Sequence, residues 1–136
     1  MEKFIGIKEI QAIPMNRLAY SQYRGWKLPE DENGEDQGYL VEYLDGGESN
    51  HPDHKGYISW SPKDVFERAY ADVDDNESGI MALFKYEHLP PHLQEVSKPL
   101  GQLARIMDAL PDGAEKSAGL RKLLEAKDCF VRAKLT

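Results

Sequence analysis

The chain has 136 residues, of which 40% are hydrophobic and 30% charged, and its net charge is −7. This length suffices for one compact domain or two small units. The longest apolar run, residues 80–84, is far shorter than the ~20 residues that a membrane-spanning helix needs. The N-terminus has no long apolar core and a single cysteine excludes an internal disulfide, so we expect a cytosolic protein with no membrane partner.

The acidic residues are concentrated in the first part of the chain. Residues 1–78 contain 8 Lys/Arg and 17 Asp/Glu, whereas residues 79–136 contain 9 Lys/Arg and 7 Asp/Glu. Duplex binding depends on neutralising many phosphates, so this distribution argues against long nucleic acid as a partner. A small anion needs only two or three local cations, whatever the net charge of the protein.

The first part of the chain reads as short strands with one short helix between them. Residues 3–13 mix β-branched and polar side chains and are predicted to form a first strand. Asn16 is placed to cap a short helix, and Gly25 to end it in a left-handed conformation. Residues 39–44 and 57–61 are predicted to be two further strands.

A second short helix and a possible fourth strand follow. Ser61 is predicted to cap a helix over residues 62–71, with Asp64 in its first turn, and this helix should cover one face of the sheet. The acidic residues 72–79 mark an internal boundary. Residues 80–86 fit either a strand or a lead-in to the helix pair, and we favour a strand added to the N-terminal sheet.

The remainder of the chain is predicted to be a pair of amphipathic helices. The first begins at Pro90-Pro91, shows apolar residues at spacings of three and four, and should be kinked by Pro99. A tight turn at residues 111–113 separates it from a second helix over residues 114–135. Helices joined by so short a connection pack antiparallel.

The predicted fold class is therefore α+β, with a small N-terminal antiparallel sheet and short helices followed by a C-terminal antiparallel two-helix hairpin. We expect residues 1–78 to form a β-rich module and residues 79–136 a hairpin module, within one compact unit that shares a core. A lone hairpin buries little apolar surface, so the hairpin needs the sheet or other subunits to be stable.

Motifs for catalysis or metal binding are weak or absent. The HPDH stretch at residues 51–54 has a spacing that suits a metal, but it lies in an acidic loop without a matching pair, so we interpret it as a solvated loop. The sequence has no nucleophile elbow, zinc-peptidase motif, phosphate loop or dinucleotide-binding fingerprint. These observations favour binding over catalysis, and we predict no metal and no cofactor.

Two groups of side chains suit a nucleotide ligand. Aromatic rings stack on bases, and Trp26 beside Arg24 is the clearest example, while arginine clamps phosphate with a planar fork. The alternative is that the rings belong to the core and the cations to a solvated helix face. The predicted ligand-binding residues are Arg24, Trp26, Phe84, Tyr86, His88, Lys98, Arg105, Arg121 and Arg132.

Two stretches resemble known phage modules. Residues 14–70, from PMNRLAYSQYRGWKLPE to GYISWSPKDVFERAY, resemble a module at the front of many small phage proteins. Residues 84–133, FKYEHLPPHLQEVSKPLGQLARIMDALPDGAEKSAGLRKLLEAKDCFVRA, resemble the helical hairpin shared by the type-one Thoeris anti-defence proteins and the type-two anti-CBASS proteins. The order of a β-rich front and a hairpin behind resembles the Thoeris type-one family.

That resemblance implies a sponge for an immune signal. Such proteins bind a cyclised ADP-ribose messenger in the host bacterial cytoplasm and keep it from its effector without degrading it. The related hairpin family captures cyclic di- and trinucleotides of CBASS systems, which are therefore candidate ligands here as well. The family also implies a homo-oligomer, in which dimers assemble into a hexamer with ligand pockets between protomers.

The resemblance assigns few residues. Tyr86 and Lys98 fall where the anti-CBASS relatives use a tyrosine and a lysine on their ligand, although the spacing between them differs by a few residues. Arg121 and Arg132 are the two candidates for an arginine that serves trinucleotides. The remaining choices rest on side-chain chemistry alone.

Two other functions fit the same sequence. One is an enzyme that cleaves or isomerises the same messenger, which would release a product. The other is a phage protein–protein interaction module with no small ligand, whose melting temperature would not respond to cyclic nucleotides.

Overall fold

A computed structural model describes residues 1–136, which form two compact units. The N-terminal unit is Met1–Tyr70 and the hairpin unit is Ala71–Thr136. The division falls before the acidic residues 71–78 rather than after them, because this segment bonds to the hairpin unit. Asp75 forms an ion pair with Arg105, for example.

The N-terminal unit is built on a three-stranded antiparallel sheet. Its strands are β1 (Ile10–Pro14), β2 (Gly38–Tyr43) and β3 (Ile58–Pro62), in the order β1-β2-β3. In the β2–β3 pairing, Leu40 lies opposite Trp60. The predicted strands at residues 39–44 and 57–61 therefore form, each displaced by one residue.

The predicted first strand is too long. Strand β1 begins only at Ile10, and residues 1–9 lie outside the sheet. The reason is the length of its partner, since Tyr43, the last residue of β2, lies opposite Ile10. The chain beyond Tyr43 turns at residues 45–46 and leaves the earlier residues without a strand to pair with.

The predicted first helix is confirmed as α1 (Arg17–Tyr23). The side chain of Asn16 accepts a hydrogen bond of 2.8 Å from the backbone N–H of Ala19, which satisfies one free donor of the first turn. Gly25 follows the helix with φ of 71°, a left-handed conformation that glycine adopts without steric cost.

The core of the N-terminal unit lies between α1 and the sheet. Trp60 is anchored there by its indole N–H, which donates a 2.7 Å hydrogen bond to the carbonyl oxygen of Met15. The buried residues are Tyr20, Leu40 and Ile58, with Met15, Tyr23 and Trp60 packed around them.

Helix α2 (Lys63–Ala69) forms where a helix is predicted but starts differently. Ser61 belongs to β3 and does not cap it, and Pro62 precedes the helix without a side-chain hydrogen bond. Phe66 stacks on Tyr39 of β2 with 4.1 Å between ring centroids, so α2 does pack on the sheet. No residue of α2 is fully buried.

The long loop between β2 and β3 is anchored by an asparagine. The side-chain amide of Asn50 donates to the carbonyl oxygen of Ile58 at 2.9 Å and accepts from the N–H of Ile58 at 2.8 Å. These reciprocal bonds extend the hydrogen bonding of the sheet into the loop.

The hairpin unit is dominated by two long helices, α3 (Pro91–Asp108) and α4 (Ala114–Leu135). An ion pair of 2.8 Å joins Lys134, at the end of α4, to Glu95, near the start of α3, so the two helices are antiparallel. Pro99 lies inside α3, which continues past it. Together with the sheet, this pair confirms the predicted α+β class. No helix of the chain combines the length and apolar composition that a membrane span requires.

The prediction of a strand at residues 80–86 is wrong. Gly79–Phe84 is a 3-10 helix in the hairpin unit, and it makes no pairing with the sheet. Its apolar side chains pack against α3 and α4 instead. The core of this unit consists of Met81, Phe84, Ala104 and Leu120, with Ile80, Met107, Leu123 and Leu124 around it.

A glycine in α3 allows the segment after the 3-10 helix to approach closely. A Cβ atom on Gly101 would lie 2.7 Å from the carbonyl oxygen of Phe84 and 3.0 Å from the ring of Tyr86. The ring of Tyr86 is buried as a result of this close packing. The segment that carries Lys85 and His88 is thereby held against the hairpin.

Candidate functional site

A groove with a volume of about 370 Å³ opens on the hairpin unit. It lies between the 3-10 helix, the segment that follows this helix, and the C-terminal half of α4, with one residue contributed by α3. Ligand sites of small molecules are typically ~300–1,000 Å³, so the groove is large enough for one. Its polar lining consists of Lys85, His88, Ser97, Lys127, Asp128 and Arg132.

The groove carries an excess of positive charge. Lys85, Lys127 and Arg132 line it together with one carboxylate, that of Asp128, and Glu77, outside the lining, pairs with Lys85 at 3.0 Å. This local balance differs from the net charge of −7 for the whole chain. A local group of cations is what a small anion requires, and a protein with an acidic surface elsewhere can still provide one.

Lys127 is held in place by two contacts. Its ammonium donates to the carbonyl oxygen of Leu83 at 3.0 Å and lies 3.0 Å from the carboxylate of Asp128. Its side chain is mostly buried, with 15% of its surface exposed. An ammonium fixed in this way loses little conformational entropy when it contacts a ligand.

Ser97 is the most unusual residue of the groove. It is 1% exposed, and its hydroxyl is the one buried side-chain polar atom without a hydrogen-bond partner in the chain. Most buried polar groups in proteins are paired, because an unpaired one costs about 1–3 kcal/mol. The hydroxyl oxygen is itself buried, so Ser97 contributes to the wall of the groove but does not offer an accessible donor to a ligand.

The remaining cations are less constrained. Arg132 is exposed, and one of its N–H groups donates to the sulfur of Cys129 at 3.2 Å. A thiol is a weak acceptor, so most of the donor capacity of the guanidinium is available to a ligand. Lys85 forms a 3.0 Å ion pair with Glu77, a residue of the acidic segment. His88 is exposed at the edge of the groove.

A second, smaller cavity does not suit an anion. Its volume is about 70 Å³, and its lining includes the carboxylates of Asp75, Glu77 and Glu87. The guanidinium of Arg105 faces this cavity and is held by Asp75 at 2.6 Å. Phe84 and Tyr86 also line it, but both rings are buried in the packing of the hairpin unit.

The predicted ligand-binding residues are thus distributed over several places. His88 and Arg132 meet in the groove, whereas Arg105 lies at the acidic cavity. Lys98 is half-buried on α3 and Arg121 is exposed on α4, and neither lines the two cavities. The side chain of Phe84 is 3% exposed and packs in the hydrophobic core of the hairpin unit.

Arg24 and Trp26 belong to the N-terminal unit, where they contact each other. The guanidinium of Arg24 lies 4.3 Å from the centroid of the Trp26 ring and donates a 3.0 Å hydrogen bond to the hydroxyl of Tyr20. Trp26 remains 55% exposed. The pair is an exposed cation–π contact with no surrounding cavity of its own among those described above.

The HPDH loop is predicted to be solvated. In the structure, both of its histidines instead take part in a hydrogen-bonded cluster. His54 bonds Glu42 through Nδ1 and the hydroxyl of Tyr23 through Nε2, the latter at 2.6 Å. The ring of His51 stacks on that of Tyr23 with 4.3 Å between centroids. No group of three metal-ligating side chains is arranged to hold an ion.

One signal in the sequence could have identified Ser97. Leu93, Ser97, Gly101 and Ala104 follow the spacing of the buried face of α3, so a hydroxyl on that face is a polar group without an evident partner. Lys85 has no comparable signal, because its place in the groove depends on the 3-10 helix.

No family model, no curated protein and no solved structure matches this chain.

Proposed function

We propose that this chain binds a small cyclic nucleotide in the hairpin groove and sequesters it without converting it, as a phage counter-defence protein does to an immune signal. The observation that carries the proposal is a groove of about 370 Å³ that is lined by three cations and apolar side chains. The ligands proposed are a cyclic ADP-ribose isomer and cyclic di- or trinucleotides. The choice of immune signals as the class rests on the resemblance of the hairpin.

The chemistry of the groove suits a phosphate. A phosphate oxygen can accept a hydrogen bond from the Lys127 ammonium, and Arg132 can clamp two oxygens with its planar guanidinium. Hydrogen bonds between charged groups are shorter and stronger than neutral ones.

The walls of the groove supply apolar surface for the rest of a nucleotide. Leu83, Leu89 and Val131 line it beside the cations. A ribose or a base can pack on these side chains, and the exposed imidazole of His88 offers the one ring of the lining for stacking. We therefore expect that phosphate contacts contribute more to the affinity than base stacking does.

The groove favours binding over catalysis. A serine nucleophile needs an adjacent general base within hydrogen-bond reach, and the hydroxyl of Ser97 has no such partner. Tight capture of a signal requires a free energy of about 12 kcal/mol for a nanomolar Kd. An open groove on one chain reaches this value more easily when a second subunit covers it, which fits the proposed homo-oligomer.

Isothermal titration calorimetry against a panel of cyclic ADP-ribose isomers, cyclic dinucleotides and cyclic trinucleotides tests the proposal. The informative variant is Arg132→Gln. Arg121→Gln is the matched control, since Arg121 lies on the same helix outside the groove. We expect Arg132→Gln to weaken binding by ~10-fold or more, in line with a charged hydrogen bond of about 1.5–3 kcal/mol, and Arg121→Gln to bind as the wild type does.

The ligand recovered after heat denaturation should be chemically intact. A chromatographic product would favour the enzyme instead. Absence of any heat of binding across the whole panel would reject the sequestering function, and equal losses in the two arginine variants would reject the groove as its site.

A further inference from the structure

The acidic residues that precede the 3-10 helix, here called the acidic strap (residues 72–78), belong to the hairpin unit. The strap forms no helix or strand, and none of its residues is buried. Its one backbone–backbone hydrogen bond runs from the N–H of Met81 to the carbonyl oxygen of Ser78. The side-chain amide of Asn76 also donates to the carboxylate of Asp108 at 3.1 Å.

Two ion pairs complete the attachment of the strap. The carboxylate of Asp75 lies 2.6 Å from a terminal guanidinium nitrogen of Arg105 on α3. The carboxylate of Glu77 lies 3.0 Å from the ammonium of Lys85, the residue that directly follows the 3-10 helix. Ion pairs between exposed groups contribute little to stability, so the strap is attached weakly to the unit on which it lies.

The two ion pairs are asymmetric in their exposure. The side chains of Asp75 and Glu77 are 90% and 70% exposed, whereas those of Arg105 and Lys85 are 22% and 46% exposed. The cations are therefore held by the packed part of the unit, and the carboxylates reach them from the solvent side. An anion that is not part of the chain can approach the same cations by the same route once the strap has moved away.

The strap also forms part of the wall of the small cavity, whose volume is about 70 Å³. With the strap in place, the lining of the cavity has three carboxylates and two cations, those of Lys85 and Arg105. Two of the three carboxylates belong to the strap, and only that of Glu87 comes from another segment. Displacement of the strap would leave two cations beside one carboxylate, and the site would then suit an anion.

We propose that Lys85 and Arg105 form an anion-binding site for a diphosphate, and that the strap closes this site by placing two of its own carboxylates on the cations. Asp75 and Glu77 are two residues apart, so their Cα atoms are at most ~7 Å from each other and the site accepts two anionic groups held close together. A guanidinium can bind one phosphate through two parallel hydrogen bonds, and an ammonium supplies a point charge for the second.

The strap weakens the binding of such a ligand, because it competes for the cations from within the same chain. A tethered group has a high effective concentration at its site, and a ligand binds only to the fraction of molecules in which the strap is displaced. The charge of the strap thus sets the apparent affinity of the site.

The site under the strap is separate from the hairpin groove, although Lys85 lines both. Arg105 lines the small cavity and not the groove, and Arg132 lines the groove and not the small cavity. Substitution of each arginine therefore distinguishes an anion bound under the strap from an anion bound in the groove. For this reason the inference can be tested without assuming the proposed function.

Isothermal titration calorimetry of the full chain with inorganic pyrophosphate tests the inference. Asp75→Asn/Glu77→Gln removes the two charges that contact the cations and nearly preserves the size of both side chains. Asp72→Asn/Asp74→Asn is the matched control, since these carboxylates of the same strap form no hydrogen bond or ion pair. We expect the first variant to bind at least ~5-fold more tightly than the wild type, and the control to stay within about twofold of it, because unpaired exposed charges are screened.

Two further substitutions in the Asp75→Asn/Glu77→Gln protein locate the bound anion. Adding Arg105→Gln should abolish the gain in affinity, whereas adding Arg132→Gln should leave the gain unchanged. The inference is wrong if the control gains as much affinity as the strap variant, or if the strap variant gives no heat of binding with pyrophosphate. It is also wrong if the gain survives Arg105→Gln or is lost equally with Arg132→Gln.

Discussion

The hydroxyl of Tyr23 lies 2.6 Å from Nε2 of His54, a residue that is 31 positions further along the chain. The other ring nitrogen, Nδ1, bonds the carboxylate of Glu42 on β2. An ionised carboxylate only accepts, so Nδ1 is the donor to Glu42, and Nε2 forms the second hydrogen bond of the ring with the Tyr23 hydroxyl. The three side chains thereby tie α1, the sheet and the long loop of the N-terminal unit together.

The pH dependence of stability should report on Glu42. Its hydrogen bond with His54 holds the pKa of Glu42 below its ordinary value of 4.5, with a further contribution from the N–H of Gly56. A carboxyl with a lowered pKa binds its proton less readily in the folded state. It therefore stabilises the fold fully above pH 4.5, and this contribution is lost as the pH falls through the lowered value.

Thermal unfolding followed from neutral pH into acid tests this expectation. Glu42→Gln keeps an acceptor for Nδ1 of His54 but cannot be protonated, so its melting temperature should decline less steeply in acid than that of the wild type. Parallel acid profiles for the two proteins would show that Glu42 does not contribute.

The phenol of Tyr23 should affect the stability of the fold at alkaline pH. Burial raises the pKa of Tyr23 above its ordinary 10.0, and the nearby carboxylates of Asp53 and Glu42 raise it further. The folded state thus retains the proton, and the stabilisation by Tyr23 is present below pH 10.0 and is lost as the pH rises through the raised value.

Tyr23→Phe keeps the ring that stacks on His51 but leaves Nε2 of His54 without its hydrogen-bond partner. We expect a lower melting temperature at neutral pH and a flatter alkaline profile. Tyr70→Phe is the matched control, since the Tyr70 ring packs on Phe66 while its hydroxyl bonds nothing in the chain. A fall in melting temperature of similar size in both variants would contradict a specific role for the Tyr23 hydroxyl.

Two glycines on the hairpin helices should respond oppositely to alanine. Gly101→Ala introduces a Cβ atom 2.7 Å from the carbonyl oxygen of Phe84, and such overpacking costs about 1–3 kcal/mol. Gly119 on α4 has no atom within 4 Å of its ideal Cβ, so Gly119→Ala should stabilise the helix by about 0.5–1 kcal/mol. Urea denaturation measures both changes, and a stabilised Gly101→Ala protein would show that the 3-10 helix does not pack as described.

Glu77 should compete with the proposed ligand. It neutralises Lys85 across a 3.0 Å contact, so a phosphate in the groove must displace it or share the ammonium with it. We expect Glu77→Gln to raise the affinity for a cyclic nucleotide by up to about fivefold, because exposed ion pairs contribute about 1 kcal/mol or less. Glu125→Gln, on α4 outside the groove, serves as the control for the loss of one negative charge.

This measurement assumes that a ligand binds in the groove. If a nucleotide binds and both glutamine variants gain affinity equally, Lys85 is not one of its contacts. The gain should also shrink at high salt, since exposed charges are then screened.

Short sequence patterns were sufficient to predict the helices whose ends and faces depend on residues close by in the chain. Asn16 and Gly25 mark the ends of α1 because a cap and a left-handed glycine act within one helical turn. The periodic apolar residues of α3 and α4 likewise predict two helices, and the short connection between them predicts that they are antiparallel.

Elements that depend on a distant partner could not be predicted in this way. Residues 80–86 are apolar enough for a strand or for a buried helical turn, and only the presence of Ala104 and Leu120 beside Met81 decides between them. Residues 1–9 have the composition of a strand but pair with no strand of their own chain. The composition of a segment indicates whether it can form a strand, whereas strand pairing depends on which other segment of the fold lies beside it.

The site was predictable only in part for the same reason. His88 and Arg132 could be chosen by side-chain chemistry, but the cluster of Tyr23, His54 and Glu42 required knowledge of which strand the loop crosses. The bond between Lys127 and the carbonyl oxygen of Leu83 joins residues 44 positions apart, and no local pattern indicates it.

The reciprocal bonds between Asn50 and Ile58 make the N-terminal unit sensitive to chemical ageing. Hydrolysis of the Asn50 side-chain amide to a carboxylate would replace its N–H donor by an oxygen that faces the carbonyl oxygen of Ile58. One bond of the pair would become a repulsion, and the loop that carries His51 and His54 would lose its inner anchor. Deamidation at this one position during storage should therefore loosen the loop before it affects either helix of the hairpin.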